Sequence, residues 1–437
     1  MFIKADYLIS PSLDYVRVLK DAGVCVENDV IVDVGKEEDV RRKCENDITL
    51  RGRIVMPGLI DLHRHLYGIL TRGMPVNKAP RDFRDFLEDL WWPYVEDKLD
   101  KDLIYVAAKA SALEALKYGT TTIVDILEAP YSLPNSLEVE RKALYDVGLR
   151  GFLSFEVTER AGTKVRDLSL AENENFIIKT KNDPLVKGMM ATHTTFTCSK
   201  ETLLTALDIA KKHNSKILLH LEEGDYEKLY SYVVYKKLPV EWYESLGFLG
   251  PHIIAAQFVT TEPKELMILK KHQVNLVHVP LSNCEVGGGI APAAEALDLG
   301  LKVGLGTDGY ITNMFEVMRF TFLIHKARLK DPRTMPAEQV FNMATSFGEI
   351  ILGEKIGRIE KDYKADLVLL EFRFPEIITS ENLVTLLVLW GADYAKIHTV
   401  IVNGKIMIEN SKHVSLDEDT LVSELKKASL ELWSRCM

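Results

Sequence analysis

Ile54-Val55-Met56-Pro57-Gly58-Leu59-Ile60-Asp61-Leu62-His63-Arg64-His65 is a nearly unbroken apolar run that ends on two histidines one residue apart. Such a run reads as a strand buried on both faces, and Pro57-Gly58 supplies a backbone break that can carry it into the bottom of a larger sheet. On a strand, residues i and i+2 point to one side, so His63 and His65 can share an ion while Arg64 faces away. Alone, a His-x-His pair is a weak signal, because surface and core histidines produce it often.

Two later segments repeat the form. The apolar run 216–219 closes on His220, and 302–306 leads through Thr307 into Asp308. Each has a plainer reading. Glu222, Glu223 and Asp225 make an ordinary acidic helix start that suits the helix dipole. Asp308, beside glycines and a threonine, suits a turn or an N-cap. Taken together, the three signals fall at the ends of predicted strands one, five and eight. Imidazole and carboxylate ligands suit zinc or iron, and ligands so far apart in sequence need a closed barrel to converge. Glu223, on the strand-to-helix loop three residues past His220, is placed to act as general base toward a metal-activated water.

The barrel itself follows from alternation. Between about residues 54 and 355, short apolar runs at 54–61, 121–126, 151–157, 188–192, 217–221, 253–259, 275–279 and 303–307 alternate with helical patterns such as 200–213 and 262–272. Eight strands alternating with helices predict an α/β protein with a parallel (β/α)₈ barrel over 54–359. An open doubly wound sheet is the competitor, but no glycine-rich dinucleotide turn follows the early strands. The ends differ: alternating strands at 2–9 and 24–34 resume at 365–371 and in a hairpin, 399–403 and 405–409, turning at Gly404. Neither end can bury a core alone, so 1–53 plus 360–437 are expected to form one composite β-sandwich, with a final amphipathic helix at about 416–435 docked on one side.

Composition narrows the class. A net charge of −10 argues against nucleic-acid binding, which favours a basic stripe. No stretch nears twenty uncharged apolar residues, so no membrane span is expected. Cys25, Cys44, Cys198, Cys284 and Cys436 are few, odd in number and without a CxxC pair, so a disulfide framework is not expected. With no apolar core in the opening residues, this predicts a cytoplasmic protein.

The stretch from Val55 to His65 resembles the opening motif of the amidohydrolase superfamily. Thr192-His193-Thr194-Thr195-Phe196-Thr197-Cys198-Ser199, His220-Leu221-Glu222-Glu223, His278-Val279-Pro280-Leu281-Ser282-Asn283 and Gly306-Thr307-Asp308-Gly309 resemble blocks of its deaminase and chlorohydrolase branch. That branch includes S-adenosylhomocysteine, methylthioadenosine, guanine and cytosine deaminases and s-triazine hydrolases. Lys364 to Leu370 and Val400 to Lys405 resemble its small-domain strands, so the likeness covers essentially the whole chain. It implies one divalent metal, zinc or else iron, held by His63, His65, His220 and Asp308. It also implies that Asp308 accepts a proton from the attacking water, that Glu223 shuttles it, and that His193 contacts substrate. No lysine stands on strand four to bridge a second metal. A homodimer or higher oligomer is likewise implied.

One departure stands out. The branch carries a histidine at the end of strand six, where this chain has Gln257. Glutamine donates and accepts hydrogen bonds but takes up no proton near neutral pH. It can still orient a water or a leaving group. His252 precedes that strand and is expected at the barrel bottom. Glu96 resembles the residue that nucleoside deaminases place against ribose hydroxyls. Arg150 suits an anionic substrate group or a plain salt bridge, and Trp91 and Trp92 a lid or subunit contact rather than a substrate stack. Cys198 and Cys284 read as packing residues, and Gly287-Gly288-Gly289 as a loop at the catalytic face.

The expected activity is metal-dependent deamination of a small amino-substituted heterocycle: a purine or nucleoside, a pyrimidine or a pterin-like ring. The alternatives are hydrolysis of another leaving group (halide, alkylamine or amide) and, because of Gln257, a weakened barrel kept for binding.

Overall fold

The computed structural model describes residues 1–45, 48–373 and 377–436. Its larger part is a parallel barrel of eight positions: Leu59–Arg64, Thr120–Leu127, Arg150–Val157, the split fourth strand Val186–Gly188 and Met190–Thr192, Ile217–Leu221, Ile253–Gln257, Asn275–His278 and Val303–Leu305. Nearly every residue in them is buried, because helices cover the outside and side chains fill the inside.

Closure comes at the C-terminal ends of the first and eighth strands. Thr307 and Asp308 donate their backbone N–H groups to His63 O at 3.1 and 2.9 Å, and His65 N–H donates to Asp308 O at 3.1 Å. Gly306 makes this approach possible, since a Cβ there would lie 2.8 Å from His63 O. Asp61 ties the same seam from within: it accepts from Thr307 N and Oγ1 at 3.0 and 2.5 Å, and from Arg64 Nη1 at 3.3 Å. Arg64 thus faces away from its histidine neighbours, its guanidinium also held by Ser111 Oγ at 2.6 Å.

The predicted first strand divides. Thr49–Pro57 belongs to a second, eight-stranded sheet, and only Leu59–Arg64 to the barrel. The switch occurs at Gly58, where a Cβ would sit 1.9 Å from Thr121 Oγ1. The second sheet runs in the order Lys412–His413, Lys405–Glu409, Ala395–Val402, Leu367–Phe372, Thr49–Pro57, Phe2–Pro11, Val16–Glu27 and Val30–Lys36, so both termini contribute. It curls over its own core of Ile3, Leu8, Val24, Ile31, Val55, Leu367 and Ile401, making the small sandwich domain.

Three local expectations are corrected. The single strand at 24–34 is two, Val16–Glu27 and Val30–Lys36, because Asn28 adopts a left-handed conformation (φ 53°) and turns the chain. Cys25 and Cys44 form a disulfide, their Cα atoms 5.7 Å apart; Cys44 ends the helix Glu37–Lys43, which folds back beside the strand bearing Cys25. Finally, two C-terminal helices pack on the barrel. Leu383–Tyr394 meets Met314–Leu329, and Glu418–Ser434 meets Lys101–Lys117. None of the described helices is long and apolar enough to cross a membrane.

Candidate metal centre

His63, His65, His220 and Asp308 converge at the barrel mouth. Asp308 Oδ1 lies 3.5 Å from His63 Nε2 and 3.3 Å from His65 Nε2, and the Nε2 atoms of His65 and His220 are 3.4 Å apart. Donors about 2.1 Å from one tetrahedral centre stand about 3.4 Å from each other, so the spacing fits a single ion. His63 strengthens the fit, for it buries both ring nitrogens without a well-formed hydrogen bond among the described residues. A buried polar atom left in that state is costly unless something else ligates it.

Each donor is set by its strand. His63 and His65 share a side of the first strand and its extension. His65 Nδ1 donates to Ile126 O at 2.8 Å, which leaves the Nε2 lone pair for the centre. Asp308 sits at φ 66°, a strained position for a non-glycine residue, fixed by the seam to strand one. Burial pulls His65 down to about 4 and His220 well below the usual imidazole range, where the neighbouring rings push it further. Neutral rings keep the lone pairs that ligation needs. Burial alone would raise Asp308, but hydrogen bonding to His63 and the closeness of the His63 and His65 rings hold it below the ordinary carboxylate range.

The surrounding cavity is lined by Glu223, His193, Glu96, Trp91 and Trp92 together with His65, His220 and Asp308. Burial and the nearby Asp308 carboxylate push Glu223 well above the ordinary carboxylate range. Gly288 packs on the Glu223 backbone, where a Cβ would come 2.6 Å from its carbonyl oxygen, so the glycine loop does border the site. His193 is fixed by Thr197 Oγ1 at 2.7 Å from Nδ1, and burial lowers it to about 4. Trp91 stacks on Phe86 and Trp92 meets the His193 ring edge-on, so both line the cavity under an aromatic roof. Gln257 Nε2 donates to Asp308 Oδ2 at 2.9 Å, while its Oε1 accepts from Asn283 Nδ2.

Glu96 reaches the cavity but is engaged, accepting from Tyr67 OH at 2.8 Å and Arg160 Nη2 at 2.9 Å. Arg150 is not brought to the site. It opens strand three at the barrel bottom, where its guanidinium pairs with Asp366 at 3.0 and 3.1 Å and with Asn403 Oδ1 at 3.1 Å. Its distance from the mouth follows from its place at the start, not the end, of a parallel strand. His252 is also at the bottom, and Cys284 is exposed rather than packed.

Sequence reasoning missed Glu128, Glu156 and Arg160. Arg160 binds Glu96, Asp97 and Glu128 together. Glu156 faces His220, and with His193 these make a second donor cluster that shares His220 with the first. The signal was legible: Glu156 is a charged residue inside the apolar strand-three run, which needs a reason to be there.

Residues 54–407 match the Amidohydrolase family. The chain belongs to the amidohydrolase family. Over 95% of its length it is 30% identical to a 5'-deoxyadenosine deaminase of Methanosphaera stadtmanae, covering 96% of that protein. It is 32% identical to a 5-methylthioadenosine/S-adenosylhomocysteine deaminase of Thermococcus sibiricus, over 93% of this chain and 94% of the relative. The amidohydrolase also shares its fold with a zinc-bound adenosine deaminase from Xanthomonas campestris: TM-score 0.90, 23% identity, 99% and 98% of the two chains.

Proposed function

We propose that this amidohydrolase deaminates an amino-substituted heterocycle by hydrolysis, with one divalent ion, zinc in preference to iron, held by His63, His65, His220 and Asp308. The observation that carries the reading is the convergence of those four donors beside Glu223 in one cavity. The deaminase relatives and the zinc-bound neighbour support it.

When bound, the ion supplies a nucleophile at neutral pH by acidifying a water to a pKa of about 7. The chain does the rest. Glu223 donates its proton to the ring nitrogen as the carbon bearing the amino group is attacked. Asp308 takes a proton from the attacking water and passes it to the amino group, which leaves as ammonia, while the remaining hydroxyl proton returns to Glu223 as the carbonyl forms. Gln257 holds Asp308 in place through Oδ2, leaving Oδ1 toward the histidines. His193 meets the ring, Glu96 faces a sugar-like hydroxyl, and Trp91 and Trp92 line the cavity beside them. In this division the barrel of 54–359 carries the chemistry and 1–53 with 360–437 support it. We also propose a cytoplasmic homodimer; the exposed Leu229, Tyr232, Val233 and Val234 on the helix Asp225–Tyr235 support self-association.

The test is ammonia release from a panel of aminopurines, their nucleosides, aminopyrimidines and pterins, alongside metal analysis of protein purified without chelator. Release from at least one ring with a stoichiometric metal is expected. Hydrolysis of a halide or alkylamine without ammonia would reject deamination, and protein that takes up no divalent metal would reject the whole reading.

A further inference from the structure

A line of buried polar groups runs from the rim of the cavity to one proposed metal ligand. Tyr67 OH donates to Glu96, Arg160 joins Glu96 to Glu128, and Glu128 lies within hydrogen-bonding reach of Glu156. Glu156 Oε1 then faces His220 Nδ1 at 3.0 Å. Tyr67, Glu96, Glu128, Glu156 and His220 are buried and Arg160 is half-buried, and neither Oε1 of Glu156 nor Nδ1 of His220 has a well-formed hydrogen bond among the described residues although the two lie within reach of each other. The opposite nitrogen of the same ring, Nε2, is the one that lies 3.4 Å from His65 Nε2.

Resting on the reading above, we propose that Glu156 is the positioning residue of the metal site: it holds the Nδ1–H tautomer of His220, turning Nε2 to the ion, and is itself anchored by Glu128 and Arg160. An imidazole offers a metal only the nitrogen that carries no proton, so whatever accepts the other N–H decides which lone pair is presented. His65 and His220 solve this problem differently. For His65 the acceptor is a backbone carbonyl, Ile126 O, which no substitution can delete. For His220 it is a side chain on another strand, the penultimate residue of Arg150–Val157, so the orientation of this ligand depends on a removable group. Arg160 explains why a carboxyl can be kept there. Three buried acids, Glu96, Glu128 and Glu156, crowd together along the cavity wall, and its guanidinium contacts two of them directly, while its face lies 5.0 Å from the Trp92 ring. Arg160 therefore joins the cavity roof, the Glu96 wall and the support of His220 in one unit.

The experiment is chelator competition for zinc on wild type and on Glu156→Ala, Glu156→Gln and Arg160→Met, with the melting temperature of each metal-free protein recorded alongside. Loss of a group that orients a ligand typically costs about 10–100-fold in metal affinity. Glu156→Ala is expected to lose that much. Glu156→Gln, whose amide oxygen still accepts from Nδ1–H, should stay within about threefold of wild type. Arg160→Met should fall between them, and combining it with Glu156→Ala should add little, because both act through one contact. Zinc affinity unchanged in Glu156→Ala, or lost equally in Glu156→Gln, overturns the proposal. Should the alanine variant fail to fold, the wild type decides alone. In zinc-loaded protein with ¹⁵N-labelled histidine, His220 must show a protonated Nδ1 and a metal-bound Nε2, and the reverse pattern refutes the assignment. Wild type that binds no zinc at all is a different outcome, and it removes the parent reading.

Discussion

Arg150 with Asp366 at the bottom of the barrel, and Asp308 with its histidines at the mouth, are both buried charge clusters that join distant parts of the chain. At the bottom every geometric demand is met from within. The guanidinium makes a two-pronged contact with Asp366 and reaches Asn403 and Pro184 O, and Asp366 also accepts the Asn403 N–H at 2.6 Å. At the mouth the demands are not met within the chain: His63 has two nitrogens without good partners, and His63 and His65 both turn Nε2 toward Asp308 Oδ1. The closed cluster clamps the barrel to the terminal sheet. The open one stores unmet hydrogen-bonding capacity, which is what a binding site requires. The same chemistry of charges thus does two jobs, and satisfaction within the chain separates them.

That contrast can be broken at either end. In the proposed mechanism, Asp308→Asn keeps the shape but removes a charge that would balance the ion and weakens the proton acceptor. Ammonia release should fall by at least about 10²–10⁴-fold while the melting temperature of the metal-free protein moves little. A variant that keeps the wild-type rate would remove Asp308 from the mechanism. Arg150→Met should do the converse. It strands Asp366 as a buried charge, so stability to urea should drop by about 3–5 kcal/mol, with kcat and bound metal unchanged wherever the protein stays folded. If instead KM rises and stability holds, Arg150 contacts substrate after all.

Acidification sharpens the comparison further. Burial holds His193 at about 4 against an ordinary 6.5. Between those values the unfolded chain binds a proton that the folded chain refuses, so this ring's contribution to stability is lost as pH falls from about 6.5 toward 4. Buried acids pushed upward, Glu223 among them, act with the opposite sign. The difference between metal-free wild type and His193→Gln isolates the ring. It should shift by about 2–3 kcal/mol against wild type between pH 7 and pH 4.5, and a difference independent of pH would show the ring to be freely solvated.

The open cluster was more legible in the sequence than the closed one, for a physical reason. Parallel strands buried on both faces must be apolar, so a histidine or aspartate at the end of such a run is conspicuous, and three runs ending that way mark one rim. Arg150 stands at the start of a run and its partner Asp366 lies 216 residues away, so nothing local says whether it pairs or binds. Glu156 was overlooked although it breaks an apolar run from within; its partner His220 is on strand five, beyond the reach of any spacing rule. The fold shows the same division. Helix Lys200–His213 was readable from its periodicity and from Ser199 at its start, which caps Thr202 N–H at 3.3 Å. The turn at Asn28 depends on one left-handed residue within a β-rich stretch, and the Cys25–Cys44 bond on a helix folding back over its own strand.

Gln257 lies between the two regimes and gives the smallest expected effect. It belongs to the mouth, at a left-handed φ of 79°, yet it is internally satisfied like the clamp at the bottom, donating to Asp308 Oδ2 and accepting from Asn283. A group so engaged orients its neighbour rather than carrying a proton. Gln257→Ala leaves the Asn283 amide and one Asp308 oxygen without these partners, and kcat should fall about tenfold with KM little changed. Gln257→His restores a ring that can donate to Asp308 but cannot at the same time accept from Asn283 in the same geometry. It should therefore change the ranking of substrates in the ammonia assay rather than abolish turnover. Kinetics identical to wild type in both variants would place Gln257 with the structural clamp at the bottom and leave Asp308 held by its strand-one seam alone.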